Sequence, residues 1–333
     1  MGKVTIEDIS RLTGLSRGTV SRALNDRPDI SEETKRRVLE ACQQLKYVPS
    51  HAARALATGR RYAVAVLLDD LRRGFAASIV RGVAVRARSQ RLAVHASDLA
   101  GNAEQAVEHV RMLVSERVDA VLLAVQLPPE LLKRLLEALN GRPMVTVQPL
   151  AGARCDVLGP DYVESGRLAA RHVLPKAGPN ILYVHQPGDA GADLRRLGFE
   201  EVCRGAGLDP AEVVVEVERS EASADRLEVV RSRLGGLRAL VASNDFLAVD
   251  LMLMCSREGR IPGRDIAVIG QGNEAVGLAI WPTLTTIEYA GEEVGARALE
   301  LALQRVTKTR QDSPQEILVA PSLVLRESSR MLG

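Results

Sequence analysis

The residues with the clearest chemistry lie near the start of the chain, in the segment RGTVSRALN that follows Gly14-Leu15-Ser16. Arg17 and Arg22 carry guanidinium groups, which can donate two hydrogen bonds at once to guanine O6 and N7. Thr19 and Ser21 carry hydroxyls that suit phosphate oxygens, and such contacts fix register without reading sequence. Gly18 has no side chain, so its neighbours would have to read the base it faces. These residue types predict contact with DNA.

Two short helices around a tight turn would position this segment. Thr5 can cap the first helix, with Asp8 three residues later reaching back to it. Gly14 lies where a turn between helices needs a positive φ, and Ser16 can cap the second helix. Residues at helical spacing would form the buried faces: Ile6, Ile9, Leu12, Val20 and Leu24. This layout predicts a helix-turn-helix, whose second helix enters the major groove. The alternative is a helical hairpin with a solvated, basic face.

A third helix is predicted in SEETKRRVLEACQQLKY, where Ser31 is the cap and Glu32 and Glu33 lie in the favourable first turn. Val38, Leu39, Cys42 and Leu45 are expected to pack this helix onto the first two. The polar residues predicted to contact phosphates are Thr5, Ser16, Thr19, Ser21, Asn25 and Ser31.

The chain resembles the LacI family of bacterial repressors in the segments VTIEDIS, GLSRGTVSRALN and YVPSHAARALATGR, and the resemblance continues through its whole length. It implies that residues 50–60 form a hinge helix that folds on operator DNA. In that hinge Leu56 would be a wedge between central base pairs, because an apolar side chain can unstack a step and bend the duplex. Ala53 and Arg54 would face the minor groove. A simple tether is the alternative for this segment, which is too short to be a stable helix alone.

Charge is distributed unevenly along the chain. Residues 1–61 contain twelve Lys and Arg against seven Asp and Glu, a balance of +5, whereas the whole chain carries +2. A basic head on a slightly acidic body fits a nucleic-acid module joined to another function. The four scattered cysteines form no CxxC pair, and the N-terminus lacks an apolar signal region, so a cytoplasmic protein is expected.

From Tyr62 onward, apolar runs alternate with helical stretches. The predicted strands are Ala63–Leu68, Leu92–Ala96, Ala120–Val125, Met144–Val147, Ile181–His185, Val213–Val217, Ala239–Ser243 and Ile266–Ile269. The predicted helices are Phe75–Gln90, Ala103–Glu116, Gly166–Leu174, Asp193–Gly205, Asp225–Leu234 and Phe246–Gly259. Apolar strands between amphipathic helices favour parallel sheets covered on both faces.

The predicted fold class is therefore α/β, with an all-α helix-turn-helix domain at the N-terminus. The resemblance implies that the rest is a two-lobed, parallel-sheet core like that of periplasmic binding proteins, with a ligand cleft between the lobes. The predicted domains are residues 1–49 for DNA binding, 50–60 for the hinge and 61–333 for the core. Lobe 1 would hold about 61–159 and 290–319, and lobe 2 about 160–289 and 320–333.

No catalytic constellation can be assembled from the sequence. It contains neither a GxxxxGK[ST] phosphate loop nor a GxSxG elbow, and its five histidines show no metal-binding spacing. Asp69-Asp70 at the end of the first core strand could suggest acid–base work. A solvated or ligand-facing strand end is the better interpretation, because open α/β sheets bind ligands at the carboxyl ends of their strands. We expect no enzyme activity, no cofactor and no metal.

The effector contacts are expected around the cleft. DDLRRGFAASIVRG resembles the family's DLxNPFFxxxxRG, which places Asp70, Arg73 and Phe75 there, and Arg195 matches an arginine that meets effector carboxylates or hydroxyls. The alternative for Arg195 is a surface helix arginine. The remaining candidates by resemblance are Asp161, Asn244, Gly272, Asn273 and Trp281. A structural role in a turn is the alternative for Asp161, a helix cap for the neighbouring Asp245, and packing for Trp281.

The segment GQGN at 270–273 departs from the family's GFDD or GFDN, since Gly272 replaces an aspartate. The loss of that carboxylate, together with the positive charges of Arg73 and Arg195, favours an anionic effector such as a sugar acid. The expected protein is a homodimeric repressor of a near-palindromic operator, controlled by a sugar or sugar acid. A cytoplasmic solute-binding protein and, less favoured, a sugar-processing enzyme are the alternatives.

Overall fold

The computed structural model describes residues 4–24, 27, 29–47, 62–148, 150, 154–188, 191–218 and 224–332. Two compact units divide the chain, Met1–Tyr62 and Ala63–Gly333. Asn25 and the predicted hinge at residues 50–60 lie outside the described residues, so their predicted roles have no structural counterpart here. The two units are described separately below.

The first unit is built from α1 (Ile6–Thr13), α2 (Arg17–Leu24) and α3 (Glu32–Gln44). Residues from all three helices and from the turn before α3 form its core: Ile9, Val20, Ala23, Ile30, Val38, Ala41 and Cys42. Two residues that were predicted to be buried are not part of this core, since Leu12 is 45% exposed and Leu39 is 54% exposed. Both predictions were wrong because three short helices leave only one narrow buried stripe on each helix.

The second unit contains two six-stranded sheets. The first sheet has the order β11-β5-β4-β3-β1-β2, and every pairing in it is parallel. Its strands are β1 (Ala63–Leu68), β2 (Ala93–Asp98), β3 (Ala120–Ala124), β4 (Met144–Thr146), β5 (Asp156–Pro160) and β11 (Glu316–Val319).

The second sheet has the order β12-β10-β9-β8-β6-β7 and is parallel apart from the β10–β12 pair. Its strands are β6 (Ile181–His185), β7 (Val214–Glu216), β8 (Ala239–Ala242), β9 (Ala267–Gln271), β10 (Thr285–Glu288) and β12 (Ser322–Val324). The chain therefore crosses between the sheets after β5, after β10 and after β11.

Helices cover the sheets of the second unit. They are α4 (Gly74–Ser89), α5 (Ala106–Ser115), α6 (Pro129–Ala138), α7 (Tyr162–Ala177), α8 (Ala192–Gly205), α9 (Pro210–Val213), α10 (Glu228–Arg231), α11 (Asp245–Arg257) and α12 (Gly291–Val306).

The central strands are apolar on both faces because helices pack on both. In β1, Ala63, Ala65 and Leu67 belong to one core cluster, while Val64 and Val66 belong to the cluster on the opposite face. All six residues of β1 are buried. This period of two sorts a continuous apolar run into two separate cores, as expected of a covered parallel sheet. The predicted fold class is confirmed.

The sequence patterns missed several elements. β5 was not predicted because Gly159 and Pro160 give its segment the composition of a turn. α6 was missed, although PELLKRLLEA has helical spacing, and α7 begins at Tyr162 rather than at Gly166. The predicted helix Asp225–Leu234 is wrong as a continuous element, because this segment consists of short 3₁₀ turns around α10.

Candidate nucleic-acid interface and ligand pocket

The turn between α1 and α2 is fixed from two sides. Gly14 has a φ of 70°, the left-handed conformation that the sequence predicted for it. The Ser10 hydroxyl donates to the Leu15 carbonyl at 2.5 Å, and Arg37 of α3 donates to the Thr13 carbonyl at 3.0 Å. The angle between the two helices is therefore held by side chains from α1 and α3 as well as by the core.

The start of α2 presents the predicted base-reading residues. Ser16 caps the helix, since the Thr19 amide donates to its hydroxyl at 3.1 Å, and the two hydroxyls are 2.9 Å apart. Arg17 and Arg22 have side chains that are 69% and 54% exposed. Gly18 is exposed, and Thr19 and Ser21 are half-buried. The structure thus places these predicted DNA contacts on one accessible part of α2.

Both arginines already have acidic partners. Arg17 Nη1 lies 3.0 Å from Glu7 Oε1, and Arg22 Nε lies 3.6 Å from Asp29 Oδ2. Exposed ion pairs of this kind contribute about 0–1 kcal/mol and are screened by salt. These contacts can therefore be exchanged for phosphates or base edges at little energetic cost.

The other predicted phosphate contacts lie at the starts of helices. Ser31 caps α3 by accepting from the Thr34 amide at 3.3 Å. The Thr5 amide and hydroxyl both donate to Asp8 Oδ2 at 2.9 Å, which lowers the pKa of Asp8. The reach of Asp8 back to Thr5 is confirmed. Asn25, Ala53, Arg54 and Leu56 lie outside the described residues, so their predicted DNA contacts stay predictions.

A cavity of about 240 Å³ lies within the second unit, at the carboxyl ends of strands from both sheets. This is the position that open α/β sheets use for ligands. The cavity lining contains six of the nine predicted effector residues: Asp70, Arg73, Phe75, Arg195, Asn244 and Gly272. They come from segments as far apart as 70 and 272 in the chain.

Arg195 lies inside the protein rather than on the surface of α8. It is 2% exposed, whereas the neighbouring Arg196 side chain is 41% exposed and pairs with Asp193 and Glu200. Its guanidinium carbon lies 5.2 Å from the Tyr162 ring centroid and 5.8 Å from that of Tyr289. The surface interpretation of Arg195 was wrong. Aromatic faces hold the guanidinium by cation–π attraction, which is strongest away from solvent.

Carboxylates also reach the cavity from the end of β1. Asp69 and Asp70 both line it, and Asp70 accepts from Arg72 Nε at 3.0 Å and Nη2 at 2.9 Å. Hydrogen bonds from Arg72 hold the pKa of Asp70 below its usual value, so its carboxylate stays charged near neutral pH. The half-buried Arg73 supplies a positive charge beside it.

Asn244 lines the cavity as predicted, but the helix cap that was considered for Asp245 is also made by Asn244. Asn244 is the residue that caps α11, because its Oδ1 accepts from the Leu247 amide at 2.9 Å, and it also lines the cavity. Asp245 is fully buried and accepts from Thr286 Oγ1 at 2.5 Å and from the Glu274 amide at 2.6 Å. Burial raises the pKa of Asp245 to about 6. The sequence could not separate a cap from a buried anchor in two adjacent polar residues.

A carboxylate stands close to the position where the family's aspartate is lost. Glu274 lines the cavity beside Gly272, and its Oε2 accepts from the backbone amide of Gly74 at 2.7 Å. The absence of an acid at position 272 therefore does not remove negative charge from the cavity. This finding weakens the argument from Gly272 toward an anionic effector.

Three predicted effector residues are not among those that line the cavity. Asp161 caps α7 by accepting from the Glu164 amide at 2.8 Å, which is the structural alternative considered for it. Asn273 is engaged with Glu288 and Arg326. Trp281 is 79% exposed. The cavity gives no support to an effector contact by these residues.

Several lining residues were not singled out from the sequence. They include two tyrosines, three glutamines at or just after the ends of strands and one acid: Tyr162, Tyr289, Gln126, Gln148, Gln271 and Glu274. Tyr289 meets Phe75 edge-to-face at 5.6 Å between ring centroids and meets Tyr162 at 5.3 Å. The sequence could have indicated both tyrosines by their position just after strand ends, since β10 ends at Glu288 and β5 ends at Pro160.

Among the described residues, no group of three His, Cys, Asp or Glu side chains is placed to hold a metal ion. In the same part of the chain, no helix is long and apolar enough to cross a membrane. All four cysteines are free.

A helix-turn-helix with accessible arginines and an α/β core with an internal polar cavity together define a DNA-binding transcription regulator. The chain belongs to the lacI family of bacterial regulatory proteins. The model of that family matches residues 5–50, and the model of a periplasmic binding protein-like domain matches residues 170–329.

Relatives and solved structures resemble nearly the whole chain. The transcriptional repressor PurR of Edwardsiella ictaluri (strain 93-146) is 29% identical over 332 residues, which cover 97% of this chain and 96% of the relative. The lac repressor dimer bound to operator and the anti-inducer ONPF has a TM-score of 0.80 at 22% identity, covering 98% and 99% of the two chains. The regulator CelR in complex with cellobiose has a TM-score of 0.72 at 24% identity, covering 98% and 100%.

Proposed function

We propose that the protein is a transcriptional repressor that binds a near-palindromic operator as a homodimer. A small effector in the cavity of the second unit controls its affinity for that operator. The observation that carries the proposal is the presence, in one chain, of an accessible α2 with Arg17 and Arg22 and of a cavity lined by Arg195.

The geometry of α2 supports the proposed DNA contacts. Its N-terminal residues are exposed, and recognition helices of this class place such residues against base edges in the major groove. Arg17 and Arg22 read bases, Gly18 lets the backbone approach, and the hydroxyls of Thr5, Ser16, Thr19, Ser21 and Ser31 contact phosphates. Asn25 adds a phosphate contact by the sequence argument alone. A dimer places two α2 helices in successive major grooves, which matches a near-palindromic site.

The effector is polyhydroxylated. The cavity offers carboxylates, amides and guanidinium groups that can pair with hydroxyls, next to the aromatic faces of Phe75, Tyr162 and Tyr289. Three carboxylates, Asp69, Asp70 and Glu274, line it against the guanidinium groups of Arg73 and Arg195. This balance favours a neutral sugar over a sugar acid, contrary to the preference drawn from Gly272. The cellobiose complex of CelR supports the sugar class.

The proposed parts of the molecule are the DNA-binding residues 1–49, the hinge 50–60 and a two-lobed core. Ala53 and Arg54 face the minor groove, and Leu56 opens a base step. Effector binding changes the angle between the lobes and thereby the ability of residues 50–60 to form a helix on DNA. Such a population shift needs different effector affinities in the two states.

The protein acts in the cytoplasm, where operator DNA is, and works without a cofactor or catalysis. Similar proteins are repressors, and Val4 to Asn25 would have no purpose in a solute-binding protein. Fluorescence anisotropy with the promoter DNA next to its gene tests the proposal. Binding that exceeds that of random DNA at physiological salt, and that changes with a sugar, supports it. Equal affinity for both DNAs, with and without sugars, would refute it and favour a solute-binding role.

A further inference from the structure

Helix α4 lacks a cap from its own sequence. Its N-cap residue is Arg73, whose side chain makes no capping hydrogen bond, and its first turn contains no acidic residue. Arginine is a poor N-cap, since it carries no acceptor for the free amides and its charge opposes the helix dipole. By contrast Asp161 caps α7 and Asn244 caps α11, each from the adjacent position. The residues around the start of α4 therefore supply no side-chain cap for its free amides.

The cap comes from a residue 200 positions away. Glu274 Oε2 accepts from the backbone amide of Gly74, the first residue of α4, at 2.7 Å. A side chain on Gly74 could not coexist with this arrangement, since a Cβ there would lie 2.4 Å from Oε2. Glycine at 74 lets the carboxylate approach the helix end directly.

The contact joins the two sheets of the second unit. Gly74 follows β1 of the first sheet, whereas Glu274 follows β9 of the second sheet. Glu274 is itself anchored, because its amide donates to the buried Asp245 at 2.6 Å, which also accepts from Thr286. Glu274 lines the cavity, and Gly74 lies between Arg73 and Phe75, which also line it. Any opening of the cleft between the sheets must separate the Glu274 carboxylate from α4.

We propose that Glu274 is a latch that holds the ligand cavity closed when no effector is bound, by capping α4 from the opposite lobe. The free protein then rests in a closed arrangement, and an effector acts by strengthening or replacing this contact. The regulatory consequence rests on the proposed function, whereas the closed resting state does not. A ligand that carries an anion must displace Glu274 to reach α4, whereas a neutral sugar can bind with the latch in place.

The test compares the full chain, without effector and without DNA, as wild type, Glu274→Ala and Glu292→Ala. Glu292 is a matched control, since it pairs with Arg81 of the same helix at 3.1 Å but comes from α12, which packs on the same sheet as α4. Hydrogen exchange of peptides covering residues 72–80 reports the cap, and small-angle X-ray scattering reports the opening. Circular dichroism and thermal melting confirm that each variant is folded.

Glu274→Ala is expected to speed exchange in the first turn of α4 on the order of tenfold and to increase the radius of gyration. Glu292→Ala should change neither. If Glu274→Ala exchanges faster but keeps the radius of gyration of the wild type, Glu274 caps α4 without holding the cavity closed. If its exchange is unchanged, Glu274 does not cap α4 either. Either result overturns the latch. Because no effector is present, a failure to find one cannot be mistaken for failure of the latch.

Discussion

The guanidinium carbon of Arg195 lies 5.2 Å from the centroid of the Tyr162 ring, and Tyr162 in turn meets Tyr289 edge-to-face at 5.3 Å. Tyr289 also contacts Phe75, which belongs to the other side of the cavity. A buried arginine is therefore held in place by a row of rings that crosses the cleft. Its planar group is preorganised for a ligand, which saves the entropy of ordering a long side chain on binding.

Replacing Arg195 by Ala should abolish the effector response and leave operator affinity without effector unchanged. Lysine at this position should fail as well, because an ammonium group cannot supply a bidentate fork. Operator titrations by anisotropy, with and without the active sugar, measure both properties. Arg196→Ala is the matched control and should respond as wild type, since that side chain lies on the surface. A normal response of Arg195→Ala would exclude this residue from the effector site.

Replacing Arg22 by Ala should cost about 1–3 kcal/mol of operator binding and relax specificity at one base position of each half-site. Competition between operator and single-base variants, measured at fixed salt, would show both effects. Arg36→Ala is a suitable control, since Arg36 lies on α3 and pairs with Glu40. Equal losses for specific and random DNA would mean that Arg22 contacts a phosphate.

Replacing Leu56 by Ala should weaken operator binding and leave the folded core intact. This prediction comes from the sequence resemblance, because an apolar wedge stabilises a bent duplex that an alanine cannot open. Operator affinity and the thermal melting of the free protein are measured together. An unchanged operator affinity of Leu56→Ala would show that Leu56 does not contribute to operator binding.

Replacing Arg305 by Ala should destabilise the second unit by roughly 3 kcal/mol or more, because it leaves a buried carboxylate without its partner. Arg305 Nε and Nη2 lie 2.7 and 2.8 Å from the two oxygens of Asp156, which is 2% exposed. Urea unfolding measures the change. Arg297→Ala removes an exposed pair with Glu293 and should lose less than about 1 kcal/mol. Similar losses for both variants would contradict the assignment.

Stability should depend on pH through Asp245. Burial raises the pKa of this carboxyl to about 6 in the folded protein, above its ordinary value of 3.8. The folded state therefore binds a proton between those values while the unfolded state does not, so Asp245 adds stability as pH falls through 6. Relative to Asp245→Asn, the wild type should gain on the order of 1 kcal/mol between pH 7 and pH 5. Parallel urea curves of the two proteins at both pH values would reveal the gain; a constant difference would contradict it.

Local rules predicted the first unit well. The positive φ at Gly14 and the caps at Ser16 and Ser31 each depend on a few neighbouring residues. Ala63–Leu68 and Ile181–His185 were predicted with the observed bounds, because burial on both faces of the sheet gives a continuous apolar run.

Features that depend on distant partners were out of reach. The burial of Arg195 is decided by Tyr162 and Tyr289, and the cap on Gly74 comes from Glu274. Neither pairing leaves a periodic trace in the sequence. β5 was not predicted for a related reason, since Gly159 and Pro160 belong to the strand through their pairing with Leu318 and Val319 of β11, which lie far away in the sequence.

The two sheets are both completed late in the chain, since β11 and β12 follow every other strand. During synthesis, α1 to α3 leave the ribosome long before either sheet has its last member, and domains fold as their residues emerge. The DNA-reading head is thus expected to mature first. A product truncated before residue 316 would keep a folded first unit without a complete core. Its DNA binding would not respond to an effector.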